Sequence, residues 1–208
     1  MIFDCTHKLT DDLPGYPGDS ETLRVESETS ENIFSSSIHI SGHFGTHMDT
    51  PKHFFPEKSG LSGWDSENLH SSALWLFCEP SQRGYTLAPS IDLWSLPNVE
   101  WIFFYTGWSE HWGSNKYYSD FIGLDPTLVE DLFDLDLIGI GIDGASIDPI
   151  PDEKYQNHNL WLGNDRYILE NVKHPEKVED GVAYTTVIAP LPIEIAEASP
   201  CRVFHITS

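Results

Sequence analysis

The stretch DPTLVEDLFDLDLIGIGIDG, residues 125–144, joins a helical pattern to a buried-strand pattern and thereby decides the fold class. Apolar residues recur with helical spacing between Leu128 and Phe133, and Asp125 followed by Pro126 is typical of a helix start. The second half is a short apolar run that ends in Gly, as strands buried on both faces often do. A helix that leads directly into a buried strand predicts an α/β fold.

The regions on either side of this stretch are mostly of strand character. VEWIFFYTG (99–107) is a second compact apolar run, so the two runs and the helix between them form a strand, helix, strand unit. Strand patterns also occur in ETLRVESET (21–29), IFSSSIHISG (33–42), ALWLFCEP (73–80), AYTTVIAPLPIEI (183–195) and CRVFHITS (201–208). We therefore predict one α/β domain over residues 1–208 with a largely β core.

The chain is strongly acidic. It has 33 Asp and Glu residues against 11 Lys and Arg residues, which gives a formal net charge of −22 at pH 7. Such a surface repels phosphate backbones and anionic lipid headgroups, so we expect neither a nucleic-acid partner nor a membrane partner. The apolar runs are also far shorter than the roughly 20 residues that span a bilayer.

The spacing of the cysteines and the composition of the first residues indicate the cellular compartment of the protein. Cys5, Cys78 and Cys201 form no C-x-x-C pair, which argues against a disulfide framework and against a cysteine-based zinc site. The opening residues have neither a basic region nor a continuous apolar region, so we predict no signal peptide. We expect a cytoplasmic protein.

Histidines are crowded into the segment HISGHFGTHMDTPKHF (39–54), which holds four of the ten histidines in the chain. A helix would place His43 and His47 on one face, as in the zinc-binding H-E-x-x-H pattern. Two glycines and a proline in the segment disfavour a helix, and Phe44 stands where that pattern needs Glu. We therefore interpret the segment as extended.

In an extended segment, side chains alternate between two faces, and here the alternation separates metal ligands from core residues. His43, His47 and Asp49 fall on one face, with Gly45 between the histidines leaving that face clear. Two imidazoles and a carboxylate are the donors that zinc, manganese or iron accept. The alternation predicts a metal site.

Two further histidines in the segment have different expected roles. His53 follows Pro51, where the extended run must bend, so it need not be a ligand. A histidine beside a metal commonly acts as a general acid or base, and a structural role is the alternative for His53. His39 is expected to be structural.

The segment HFGTHMDTPKH (43–53) resembles the H-x-G-T-H-x-D-x-P-x-H signature of the cyclase-like metal-dependent hydrolases, the family of bacterial kynurenine formamidase and isatin hydrolase. Other segments match the family in the same order along the chain: YPGD (16–19), TGW (106–108), GIDGASID (141–148), ILENV (168–172) and LPIEIAEASPCRV (191–203). The resemblance implies a swivelling β/β/α fold. It also implies assembly into homodimers or larger homo-oligomers.

The resemblance further implies a set of metal ligands and a proton carrier. One divalent metal would be held by His43, His47 and Asp49, and a second by Asp49, His158 and Glu170, with His53 as proton donor and acceptor. We expect one or two ions per chain, zinc or manganese before iron. From the residues alone, NHNLWLGNDRYILENV (157–172) predicts a short helix, a stop at Gly163 and a strand, a reversal that could return Glu170 to His158.

By its resemblance, the chain is expected to hydrolyse an amide bond of a small molecule, because a bound metal lowers the pKa of water to about 7. Tyr16 occupies the position where typical kynurenine formamidases have a tryptophan that packs on the substrate ring. Candidate substrates are an aryl formamide such as N-formylkynurenine, a cyclic amide opened as isatin is, or an ester. A metal-binding protein without catalysis, and a lyase or cyclase using the same site, are alternatives of another class.

Overall fold

The structure, a computed structural model, describes residues 1–18, 23–80, 85–87, 93–150 and 154–207. In chain order the strands are β1 (Ile2–Asp4), β2 (Leu23–Ser30), β3 (Ile33–Ile40), β4 (His47–Asp49), β5 (His70–Phe77), β6 (Glu79–Pro80), β7 (Tyr85–Leu87), β8 (Trp101–Tyr105), β9 (Gly123–Leu124), β10 (Gly139–Ile142), β11 (Tyr167–Glu170), β12 (Ala183–Pro190) and β13 (Ala198–Ile206). The α-helices are α1 (Pro126–Asp131) and α2 (Gln156–Gly163), and 3-10 helices span Pro51–His53, Leu61–Gly63, Leu93–Ser95, Trp108–His111 and Leu132–Asp134.

Seven of the strands form a closed barrel. Around the barrel the order is β13, β12, β5, β8, β10, β11 and β4, and β4 pairs back onto β13. The pairs from β5 to β11 are parallel, whereas β4, β12 and β13 pair with their neighbours in antiparallel fashion. The predicted α/β domain with a largely β core is thus confirmed as a mixed barrel with few helices. The swivelling β/β/α description stays a prediction from the resemblance.

The predicted strand, helix, strand unit is present as β8, α1 and β10. The Asp125 carboxylate accepts the backbone N–H of Thr127 at 2.9 Å, so it caps α1 as predicted. The helix is shorter than predicted, because it ends at Asp131 and continues as a 3-10 turn. β8 and β10 are parallel neighbours, and a Cβ at Gly139 would lie 2.4 Å from the Trp101 ring. Glycine is required there because the Trp101 ring occupies that space.

Alternate residues of the barrel strands pack in two clusters. Trp75, Trp101 and Phe103 belong to the cluster that fills the barrel. Leu74, Ile102 and Phe104 belong to the other cluster, which packs against α1 and α2 on the outside. Since Met48 joins the inner cluster, its neighbours in β4 point outward, toward the helices.

β2 and β3 form the predicted antiparallel hairpin, whose Glu21 and Thr22 lie outside the described residues. In the described part of the chain, these two strands pair only with each other. Leu23, Val25, Phe34, Ile38 and Ile40 share one face of the hairpin, and three of them are exposed: Val25, Phe34 and Ile38. The hairpin therefore presents an uncovered apolar face.

None of the helices in the described ranges is long and apolar enough to cross a bilayer.

Candidate metal centre and substrate cavity

The histidine-rich segment is only partly extended. Within it, β4 covers His47–Asp49 alone, and residues 42–46 form turns and bends. Gly45 has φ +76°, a left-handed conformation that interrupts the run, and a Cβ there would lie 2.2 Å from Leu9 Cδ2. The prediction of one continuous strand is therefore wrong. Gly45 is needed for its own conformation and for the close approach of Leu9, and not to keep a ligand face clear.

The turn at Gly45 nevertheless brings His43 back to the strand. Nδ1 of His43 lies 2.8 Å from Oδ1 of Asp49. His47 and Asp49 alternate with Met48 as predicted, so both point away from the barrel interior. The three residues predicted to hold the first metal thus lie together, although by a different backbone path.

β11 brings Glu170 to the same place. β4 and β11 are antiparallel, with Glu170 opposite His47 in the register. Oε2 of Glu170 lies 3.7 Å from Nε2 of His47. Both side chains are almost fully buried on the outer face of the barrel.

α2 supplies His158 from above that face. The predicted sequence of helix, stop and strand is confirmed by α2, which ends at Gly163, and by β11. Nε2 of His158 lies 3.7 Å from Oδ2 of Asp49 and 3.4 Å from Oε1 of Glu170. Asp49 therefore lies between His43 and His47 on one side and His158 on the other.

Hydrogen bonds orient two of the imidazoles. Nδ1 of His47 lies 2.9 Å from the Gly45 carbonyl oxygen and donates to it, which leaves the Nε2 lone pair directed at Asp49 and Glu170. Nδ1 of His158 is held in the same way by Oδ2 of Asp148 at 2.5 Å. Asp148 ends the segment 141–148 that matches the family, but no spacing rule ties it to His158, so its role was not predicted.

The donor atoms fit a divalent cation. Among the described residues, Nε2 of His47 and both carboxylate oxygens of Asp49 are buried and have no hydrogen bond of good geometry, and their nearest polar neighbours are other members of the same cluster. Buried polar atoms rarely stay unsatisfied in a folded protein, and carboxylate and imidazole atoms are metal ligands. His47, Asp49 and Glu170 offer one such atom each within 4.8 Å of one another. His43, Asp49 and His53 form a second group of the same kind.

Burial and charge set the protonation of this cluster. Burial lowers the pKa of His47 to about 4, so its imidazole is neutral at pH 7, the form that binds metals. Burial also raises the pKa of Glu170 to about 7, against the pull of His158. Burial lowers the pKa of His43, but the nearby carboxylates, Asp49 first and then Glu170 and Glu197, together outweigh burial and raise the pKa to about 9. The carboxylates therefore hold protons on their neighbours, which a bound cation would displace.

These residues line a cavity of about 250 Å³. Besides the predicted ligands, the lining includes Tyr16, which was predicted to contact the substrate, and the aromatic residues Phe54, Tyr118 and Tyr155. The last three had no distinguishing pattern in the sequence. The cavity therefore combines a polar, metal-binding end with aromatic walls.

His53 lies at the end of the 3-10 helix Pro51–His53 and lines the same cavity. Its ring centroid is 4.2 Å from that of His43 and 6.0 Å from that of His158. Burial, more than any charge, lowers the pKa of His53. His39, by contrast, lies exposed on the hairpin. The role of His53 as proton carrier stays a prediction, now with a position beside the ligands.

Comparisons with known proteins agree with this geometry. A family described as "Putative cyclase" matches residues 3–149. The chain is 27% identical over 207 residues to an uncharacterized protein of Methanocaldococcus jannaschii, covering 97% of this chain and 96% of that one. It is also 27% identical over 202 residues to a kynurenine formamidase of Bacillus thuringiensis, covering 96% and 94%. An isatin hydrolase bound to the product analogue thioisatinate has a similar fold, with TM-score 0.83, 19% identity and coverage of 99% and 92%.

Proposed function

The chain belongs to the cyclase family, as residues 43–53 predicted, and from that premise we propose that it is a metal-dependent hydrolase of a small-molecule amide. The observation that carries the proposal is the convergence of buried nitrogen and oxygen donor atoms of His47, Asp49 and Glu170 on a cavity that His53 also lines. The substrates proposed are an aryl formamide such as N-formylkynurenine or a cyclic amide such as isatin. The names of the relatives support both chemistries.

We propose that the site holds one or two divalent ions. Asp49 is common to both groups of donor atoms, so it suits the role of a bridge between two ions. The resemblance assigns His43 and His47 to one ion, and His158 and Glu170 to the other. The groups that lie within 4.8 Å in the structure divide differently, since His43 and Asp49 group with His53, and His47 and Asp49 group with Glu170. Mixed nitrogen and oxygen donors suit zinc and manganese alike.

A divalent ion held by these residues would provide an acidified water and would polarise the carbonyl oxygen of the substrate. His47 and His158 keep their Nε2 atoms directed at the centre through the bonds that their Nδ1 atoms make to Gly45 and Asp148. A ring nitrogen of His53 accepts a proton during attack on the carbonyl and returns it to the leaving nitrogen. Tyr16 contributes to the aromatic wall that excludes water and holds the rest of the substrate.

The decisive experiment measures formate release from N-formylkynurenine beside isatin opening, using metal-free protein re-loaded separately with zinc or manganese. The variant His53→Ala should keep its metal but lose about 10²- to 10⁴-fold in turnover, because it lacks the proton carrier. The exposed residue His70 provides the matched control, and His70→Ala should change neither quantity.

Three results would contradict this assignment. Tight metal binding without turnover of any amide or ester would indicate a binding protein. Turnover without oxygen uptake from labelled water would indicate a lyase or cyclase. Loss of metal from His53→Ala would make His53 a ligand and leave the proton carrier unassigned.

We also propose that the protein forms a homodimer or a larger homo-oligomer through the β2–β3 hairpin. An isolated two-stranded hairpin is marginally stable, and this one exposes Val25, Phe34 and Ile38. A second copy can cover that face with the same face of its own hairpin, as two-fold symmetry allows. Light scattering should give at least twice the 23.5 kDa of the chain, and Phe34→Ser should lower the mass toward that value. A monomeric wild type would refute this assembly.

A cytoplasmic location is proposed as well. Cys5, Cys78 and Cys201 are free thiols, which suits a reducing compartment. Burial raises the pKa of each of these thiols, so they stay protonated and unreactive. Cell fractionation with an antibody against the protein tests the location.

A further inference from the structure

Tyr155 has a backbone conformation that is unfavourable for its side chain. It precedes α2 with φ 49° and ψ 55°, in the left-handed region that glycine and asparagine tolerate and bulky residues rarely adopt. Its side chain makes no capping hydrogen bond to the described helix. Helix formation therefore gives no reason for a tyrosine at this position.

The ring of Tyr155 lines the cavity instead. It is 44% exposed, although it packs edge-on against Phe54 with ring centroids 5.7 Å apart. Phe54 in turn stacks on His158 at 5.1 Å and meets His53 edge-on at 4.9 Å. Tyr155 and Phe54 thus form an aromatic wall that adjoins a predicted ligand and the predicted proton carrier.

Strained backbone at a cavity is typical of residues retained for function, because selection for stability alone would replace them. Within the described part of the chain, the exposed part of the Tyr155 ring has no hydrophobic cover, and a flat ring of a bound molecule could supply one. The cavity, at about 250 Å³, is small, so one aromatic face forms a large share of the contact.

We propose that Tyr155 is a specificity-determining residue that selects substrates whose amide is attached to a planar ring. The proposal rests on the hydrolase function proposed above. Tyr155 packs its ring on that of the substrate and holds the amide near His53, while taking no part in the bond changes. Tyr16 and Tyr118, whose rings meet edge-on at 6.0 Å, provide a second aromatic surface in the same cavity.

The test compares formanilide, whose amide is attached to a ring, with N-butylformamide, which has none. Tyr155→Asn should lose about tenfold in kcat/KM on formanilide, mainly through KM, and less than about twofold on N-butylformamide. Tyr155→Phe, which keeps the ring, should stay within about twofold of wild type on both. The ratio between the two substrates is a quantity that a purely structural role would not change.

Thermal stability supplies the second readout. Because asparagine tolerates the left-handed conformation, Tyr155→Asn should melt at the wild-type Tm or up to about 4 °C above it. Glu31, with φ 48° in the exposed hairpin turn, is the matched control. Glu31→Asn should leave the ratio of kcat/KM between the two substrates unchanged. A Tm that falls together with both activities, or an unchanged ratio, would overturn the proposal.

A binding measurement distinguishes failure of the proposed hydrolase function from failure of the proposed role of Tyr155. If wild type turns over neither formamide, the proposed function fails, and binding of uncharged formanilide, measured by isothermal titration calorimetry, then tests Tyr155 directly. Tyr155→Asn should weaken that binding about tenfold relative to wild type. Equal binding by the two proteins, or no binding by wild type, would overturn the role of Tyr155.

Discussion

Oδ2 of Asp148 lies 2.5 Å from Nδ1 of His158, while Oδ1 of the same carboxylate accepts the backbone N–H of Asn157 at 2.7 Å. One buried side chain thus fixes both the start of α2 and the ring orientation of a predicted metal ligand. A carboxylate behind a metal-binding histidine holds the ring and raises its basicity, so the contribution of Asp148 should be measurable as metal affinity.

Asp148→Asn should lower metal affinity about 10- to 100-fold, because the amide cannot hold His158 as strongly. Competition with a chromogenic chelator measures this directly. Asp125→Asn is the matched control, since Asp125 caps α1 and is not among the residues that line the cavity, and asparagine caps equally well. Unchanged affinity in Asp148→Asn would show that His158 is held by its helix alone.

Metal should stabilise the fold, because it satisfies atoms that are otherwise buried without partners. At a free-metal concentration of about 100 times Kd, the gain is about 2.7 kcal/mol, or roughly 5–10 °C in Tm. Asp49→Asn should abolish the Tm shift, since Asp49 is common to both donor groups. The exposed Asp120→Asn should retain it. A metal-dependent shift that survives in Asp49→Asn would place the ion elsewhere.

His205 should make the protein sensitive to acid. It is fully buried, its Nε2 accepts the Trp75 indole N–H at 2.7 Å, and burial lowers its pKa to about 4. The unfolded chain takes up this proton near pH 6.5, so between pH 6.5 and 4 it binds more protons than the folded chain. The stabilisation is complete above pH 6.5 and is lost as the pH falls toward 4.

Urea unfolding at pH 7 and pH 5 tests the contribution of His205 to the free energy of unfolding. His205 should account for about 2 kcal/mol of the stability lost between these pH values. His205→Gln should therefore show a pH dependence smaller by that amount, whatever its stability at pH 7, because the other titrating groups are common to both proteins. Identical pH dependence in the two proteins would contradict the assignment.

The sequence was informative where one local pattern determines one element. Asp125 and Pro126 located the start of α1, and the alternation of His47 and Asp49 placed both on the outer face of the barrel. It failed at Gly45, because glycine is compatible with both an extended and a left-handed backbone, and the choice depends on Leu9, which is distant in sequence.

The supporting residues of the site could not be predicted for a related reason. Asp148 and Tyr155 contact ligands or walls of the cavity only because α2 folds back over β11. Neither belongs to a periodic pattern, and a buried Asp or a loop Tyr has many ordinary explanations. Their positions follow from tertiary packing, which cannot be read from the local patterns of a single sequence.

β4 is the shortest strand of the barrel, with three residues, and it is the strand through which the ring of hydrogen bonds closes. It also carries His47 and Asp49, so the strand that closes the barrel also supplies two of the predicted metal ligands. The amides of β4 should consequently exchange with deuterium faster once metal is removed, while those of β5 and β8, which lie opposite β4 in the ring, keep their protection. A bound ion would therefore stabilise the closure of the barrel in addition to its proposed role in hydrolysis.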